Sequence, residues 1–160
     1  MRNLISVINE KLVLNKHIYS DFKYHPQDKK ELMEIIWERC EELGTRDIDF
    51  NDIDVSMIDD MSEVFAGYAA IGQLSNMNAL KSIDISKWDV SGVTNMESMF
   101  ENQYELESIG DVSKWNVSNV ENFNFMFKGC NYLECDITNW KMSKAKEVKH
   151  MLDGAKFVKL

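Results

Sequence analysis

From residue 47 onward, large apolar residues return at fixed phases. Asp84-Ile85-Ser86-Lys87-Trp88-Asp89-Val90-Ser91 matches Asp111-Val112-Ser113-Lys114-Trp115-Asn116-Val117-Ser118, and both match Asp136-Ile137-Thr138-Asn139-Trp140-Lys141-Met142-Ser143. The tryptophans are 27 and then 25 positions apart (115 minus 88, 140 minus 115). A degenerate copy comes first, Asp49-Phe50-Asn51-Asp52-Ile53-Asp54-Val55-Ser56, with Ile53 in the tryptophan place. A second register runs ten positions downstream: Val55 to Phe65, Val90 to Phe100, Val117 to Phe127, Met142 to Leu152. Between those ends, apolar residues at i, i+3, i+6 and i+7 predict one stripe of a short helix. Each serine stands where an N-cap belongs, and Asp59 after Ser56 and Glu121 after Ser118 complete the spacing of a capping box. One unit cannot bury its own stripe, so the units must lie against one another.

The pattern upstream is different. Leu32, Ile35, Ile36, Cys40 and Leu43 predict an amphipathic helix of about 15 residues, with Asp28 as N-cap and Gly44 as its stop. Before it, Ile5 to Ile8 and Lys11 to Leu14 predict a small hairpin around Asn9-Glu10. The run Gly67 to Asn78 is longer than its counterparts and is expected to bulge. Residues 1–46 therefore read as an N-terminal cap and 47–160 as the repeat region with its own C-terminal cap. The fold class expected is an α/β repeat: a short leucine-rich-repeat-type solenoid of about 3.5–4 coils, with one short strand and one short helix per coil.

The motif Trp-[Asp/Asn]-Val-Ser-x-Val-x-x-[Met/Phe]-x-x-Met-Phe, followed by Asp-[Ile/Val]-Ser-x-Trp, resembles the BspA-like leucine-rich repeat found in bacterial surface and mycoplasma lipoprotein-type proteins. The resemblance spans residues 47–153, and the segment from Lys30 to Ser56 is similar to the lead-in that precedes such repeats. It implies a right-handed solenoid used for adhesion or protein binding.

Charge narrows the partners. The 160 residues carry 18 Lys plus Arg against 27 Asp plus Glu, a formal charge of -9. Residues 51–136 hold four lysines and fifteen acids, a net of -11; residues 137–160 hold six lysines and two acids, a net of +4. An acidic body argues against direct nucleic-acid binding, which needs clustered Lys and Arg. Three cysteines make no disulfide scaffold. Cys130-x4-Cys135 has neither the spacing nor the histidines of a zinc site, so no metal and no cofactor are expected. The apolar stretch after Arg2 is too short for a secretory leader, and no stretch suits a membrane span, so the expected location is the cytoplasm.

The chemistry-bearing positions follow the repeat. Asp84, Asp111 and Asp136 form a ladder whose carboxylates would repel unless each is satisfied by its own turn, a cation or a basic partner. Ser86, Ser113 and Thr138 lie beside it, and Asp89, Asn116 and Lys141 flank it. Trp88, Trp115 and Trp140, with Phe65, Phe100 and Phe127, read as packed ladders, the tryptophans having the alternative of a stacking surface for a sugar or peptide. No nucleophile–base set, phosphate loop or HExxH is present, so the chain is not expected to be an enzyme. The function expected is a protein–protein interaction module that binds a basic partner through Asp84, Ser86, Asp89, Asp111, Ser113, Asn116, Asp136, Thr138 and Lys141. A homo-oligomer through the exposed end of the stack is a further expectation. The alternative is a small cytosolic inhibitor, from a mobile element, that blocks a nucleic-acid enzyme by acidic mimicry.

Overall fold

The computed structural model describes residues 22–67 and 80–160. The expected hairpin of residues 5–14 and nearly all of the 67–78 bulge lie outside the described residues.

Helix α1 (Lys29–Leu43) forms where the sequence places it. Asp28 is extended and its carboxylate accepts from the Glu31 N–H (2.9 Å), while Glu31 Oε2 accepts from the Gln27 N–H (2.8 Å). Each side chain thus satisfies an orphan donor of the helix start. Gly44 ends the helix at φ 56°, in the left-handed region, with its N–H on the Cys40 carbonyl. The buried stripe is narrower than the five residues expected: Leu32, Ile36 and Cys40 are buried, Ile35 is partly buried, and Leu43 is exposed. Lys29 ties the start of α1 to Asp60 (2.9 Å) and Ser62 (2.7 Å), and Arg39 pairs with Asp52.

The strands are short and parallel. β1 (Asp47–Asp49) pairs with β2 (Ser82–Asp84) in the register Asp47↔Ser82, Ile48↔Ile83, Asp49↔Asp84. β3 (Cys135–Asp136) pairs with β4 (Val158–Lys159). These two two-stranded sheets and α1 are the regular secondary structure of the described residues, and this overturns the expected α/β leucine-rich-repeat-type solenoid with a strand and a helix in each coil. The segments expected to be short helices are runs of turns.

The reason lies in where the backbone donors go. Glu63, Ser98, Phe125 and His150 occupy the same phase of successive units, all at φ between 55° and 62°. One left-handed residue in mid-segment breaks the i to i−4 ladder that a helix requires. The N–H groups then divide into two alternating sets. Met99 and Glu101 close local turns on Met96 and Ser98 (3.3 and 3.0 Å). Met96, Ser98, Phe100 and Asn102 instead donate sideways, to the carbonyls of Asn122, Asn124, Met126 and Lys128 (2.7–2.9 Å). The same four-bond pattern joins Met61, Glu63, Phe65 and Gly67 to the unit after them, and Phe123, Phe125, Phe127 and Gly129 to the one beyond. A left-handed non-glycine residue costs on the order of 1–2 kcal/mol, and each cross-unit bond returns about 1 kcal/mol. The serines expected as N-caps cap no helix; Ser56, Ser91 and Ser118 donate their N–H groups to Asp54, Asp89 and Asn116 side chains.

The spacing read as a helix stripe still selects the buried residues, because turn corners recur at nearly the same interval. The Phe65, Phe100 and Phe127 rings lie in file, 5.6 Å apart and within 2° of parallel. Met61, Met96, Met99 and Met126 surround them without exposure. Burying each such side chain contributes about 1.5–3 kcal/mol.

Candidate functional site

The surface residues singled out by the sequence, Lys141 apart, sit at turns whose chemistry is an Asx motif in which a carboxylate or amide oxygen accepts from the N–H two residues on. Ser86, Ser113 and Thr138 N–H groups donate to Asp84, Asp111 and Asp136 (3.0, 3.1 and 3.0 Å). The Ser113 and Thr138 hydroxyls add second bonds of 2.6 Å to the same oxygens. Asn51 N–H makes the equivalent bond to Asp49, which lies beside Asp84 in the β1–β2 register. A second row is built the same way at Asp54, Asp89 and Asn116.

Local donors favour the ionised form of Asp84, Asp111 and Asp136. Burial presses Asp84 upward, but the Ser86 N–H, the Asn51 side chain and the Ser86 hydroxyl outweigh it and leave Asp84 below the usual carboxylate range. The Ser113 hydroxyl and N–H lower Asp111, with Asp136 working weakly against them. Asp136 is driven to about 2 by the Thr138 hydroxyl and N–H, and then by Lys159, whose ammonium lies 3.2 Å from it. Asp89, Asp111, Asn116, Thr138 and Lys141 are exposed, and Asp84, Ser86, Ser113 and Asp136 are partly so. The nine residues thus fall at two turn phases of the repeat, eight of them joined in Asx turns, while Lys141, at the phase of Asp89 and Asn116, has no side-chain oxygen to make one.

The tryptophans are not part of that surface. Trp115 and Trp140 stack (6.0 Å, 13°), whereas Trp88 stacks on Phe65 (5.8 Å, 28°). All three are buried, and Trp88 Nε1 and Trp140 Nε1 donate to the carbonyls of Phe50 and Val112 (3.0 and 2.9 Å). Burial pushes the thiols of Cys130 and Cys135 up to about 12 and that of Cys40 to about 11, so all three stay protonated at neutral pH. No group of three His, Cys, Asp or Glu side chains suited to a metal ion occurs among the described residues, and none of their helices is long and apolar enough to cross a membrane.

A third Asx row escaped the sequence reading. Asp60, Asn95 and Asn122 accept from Ser62, Glu97 and Asn124 (2.9–3.1 Å) and bridge one another in parallel. Its signal is present, since each lies five positions before Phe65, Phe100 or Phe127. It was masked because the same residues sat inside the expected helix. Glu101 is a second omission: nearly buried, it takes Lys128 at 2.9 Å and the Ser98 hydroxyl at 2.7 Å.

No curated protein and no solved structure matches this chain. A family model described as "Mycoplasma protein of unknown function, DUF285" matches residues 30–159, nearly the whole of the described structure and the full run of turn rows. The chain belongs to the DUF285 family.

Proposed function

We propose that this protein is a non-catalytic protein–protein interaction module whose Asx-turn face, from Asp84 to Asp136 with Asp89, Asn116 and Lys141 beside it, binds a partner with a basic surface. The observation that carries the reading is the fixing of each carboxylate by its own turn. A carboxylate with one oxygen bonded to its own backbone is held in place, so an incoming lysine or arginine meets a preorganised acceptor. The net charge of -11 over residues 51–136 supports attraction of such a partner at a distance. The family match is, in this reading, the family-level form of the BspA-like resemblance, for which adhesion or protein binding is the expected work.

Affinity purification from the native cell, followed by mass spectrometry, tests it. Basic proteins are expected to co-purify at about 50 mM salt and to be lost by about 500 mM, because screening shortens the reach of surface charge. The double variant Asp84→Lys/Asp111→Lys is expected to lose the same proteins. A partner set unchanged by both salt and charge reversal would overturn the proposal.

A further inference from the structure

The phase that holds Ser86, Ser113 and Thr138 in the later units holds an asparagine, Asn51, in the first. Ser113 and Thr138 turn their hydroxyls back on Asp111 and Asp136 of their own turns, at 2.6 Å. Asn51 behaves differently. Its N–H takes Asp49 Oδ1 (2.8 Å), as in the other Asx turns, but its side chain crosses to the next unit. There Oδ1 accepts from the Lys87 N–H (2.7 Å) and the amide N–H donates to the Asp84 carboxylate. An amide carries an acceptor and two donors, so one side chain serves both groups, whereas a serine hydroxyl is too short to span the strand spacing of about 4.8 Å.

The place it braces is otherwise unfavourable. Asp49 and Asp84 are register partners of β1 and β2, and like charges side by side repel. Asn51 sets one donor on each. Behind Asp84 stands Gly110, where a Cβ would come within 2.4 Å of Asp84 Oδ1. Asp84 is thus gripped by three successive units: Asn51 from the first, its own Ser86 N–H (3.0 Å), and Gly110 from the third. It is half-buried, and Asn51 is nearly buried. Asp111 is exposed, and its donors among the described residues are the Ser113 N–H and hydroxyl of its own turn.

We propose that Asn51 is a positioning residue of the Asx-turn face: reaching out of the first unit, it fixes the direction of the Asp84 carboxylate and the place of the Lys87 backbone, and with them the geometry that a lysine or arginine of the partner meets there. The inference rests on the function proposed for that face. Asn51 acts through Asp84 and does not itself touch the partner. Fixing an acceptor before contact lowers the cost of ordering it on binding, and Asp111, held by its own turn, is the internal comparison.

The test uses the whole chain and a synthetic tetralysine peptide at about 50 mM salt, followed by amide and side-chain carboxyl NMR. In the parent, the signals of Asp84 and Asp111 are expected to shift saturably. Asn51→Ser gives the first unit the residue of its successor. It is expected to weaken the peptide about threefold and to diminish the shift at Asp84, with that at Asp111 unaltered. Asn51→Asp keeps an acceptor for Lys87 but replaces the donor by a carboxylate beside Asp49 and Asp84. Asp84 is then expected to titrate above its ordinary 3.8 rather than below it, while Asp111 titrates as before. Unaltered Asp111 signals report that a variant is folded, and either variant carries the test should the other misfold. A folded Asn51→Ser chain with the parent's affinity, or a folded Asn51→Asp chain with the parent's Asp84 titration, would overturn the inference and leave the face standing. A parent chain without saturable shifts between Asp84 and Asp136 would overturn the proposed face, and the inference with it.

Discussion

The two ends of the array are built from the same kind of row and finished in opposite ways. At the N-terminal end α1 lies over the first row, with Leu32 and Ile36 wholly buried and Lys29 and Arg39 clamped to Asp60 and Asp52. At the C-terminal end Val148, Phe157 and Leu160 are 50%, 52% and 70% exposed, and the amides of Val148, His150, Leu152 and Gly154 have no backbone acceptor among the described residues. The strand corner there is covered by β4, which pairs with β3. Repeated units expose their faces wherever the repetition stops, and a helix laid across one end removes the edge that could pair with another chain. The contrast teaches that rows of the same kind are finished in two ways among the described residues, by a packed helix at one end and by a two-residue strand at the other.

If the ends differ in this way, substitutions at matched places will differ too. The largest effect is expected at the covered end. Ile36→Ala removes a wholly buried side chain and should lower stability by about 3 kcal/mol in denaturant unfolding. Its counterpart Val148→Ala, at a half-exposed site, should cost below about 0.5 kcal/mol, and equal costs would break the comparison. Next come two left-handed glycines in equivalent places. A Cβ on Gly129 would meet Asn102 Oδ1 at 2.9 Å and its Cα at 3.3 Å, whereas one on Gly154 would meet nothing nearer than 3.4 Å. Gly129→Ala should cost about 2 kcal/mol and Gly154→Ala about 1 kcal/mol, the difference measuring how tightly an inner junction is packed compared with the open one.

A smaller effect separates charge from geometry at the β3–β4 corner. The folded pKa of Asp136, about 2, lies below its ordinary 3.8. Its stabilising contribution is therefore complete above about pH 4 and is lost as pH falls through about 2. Asp136→Asn keeps an oxygen for the Thr138 turn but loses the charge. The variant should show a flatter decline of Tm between pH 4 and pH 2 than the parent. An identical decline would mean that other carboxylates set the acid response.

Much of this was legible beforehand, and the failures share one cause. Asp28 and Gly44 marked α1 to within a residue because caps act on their own neighbours in sequence. Phe65, Phe100 and Phe127 were identified as a ladder because equal phase brings them together whatever backbone lies between. Leu43 was assigned to the buried stripe and is exposed, because a stripe shows which face is apolar and not how far its cover extends. Ser56 and Ser118 look like N-caps because a serine with apolar residues at +2 and +5 and an acid at +3 reads the same for a helix start and for an Asx-turn corner. The row of Asp60, Asn95 and Asn122 was hidden by that same misreading.

The chain by itself determined the length of each unit, the identity of the buried side chains and the capped helix, since these depend on residues near in sequence or equal in phase. Tertiary structure alone decided that the units are turns and single bridges. An amide such as that of Ser98 or Phe125 could bond the carbonyl four residues back or one on the adjoining unit. Only the presence of that unit, about 25 residues away, tips the choice.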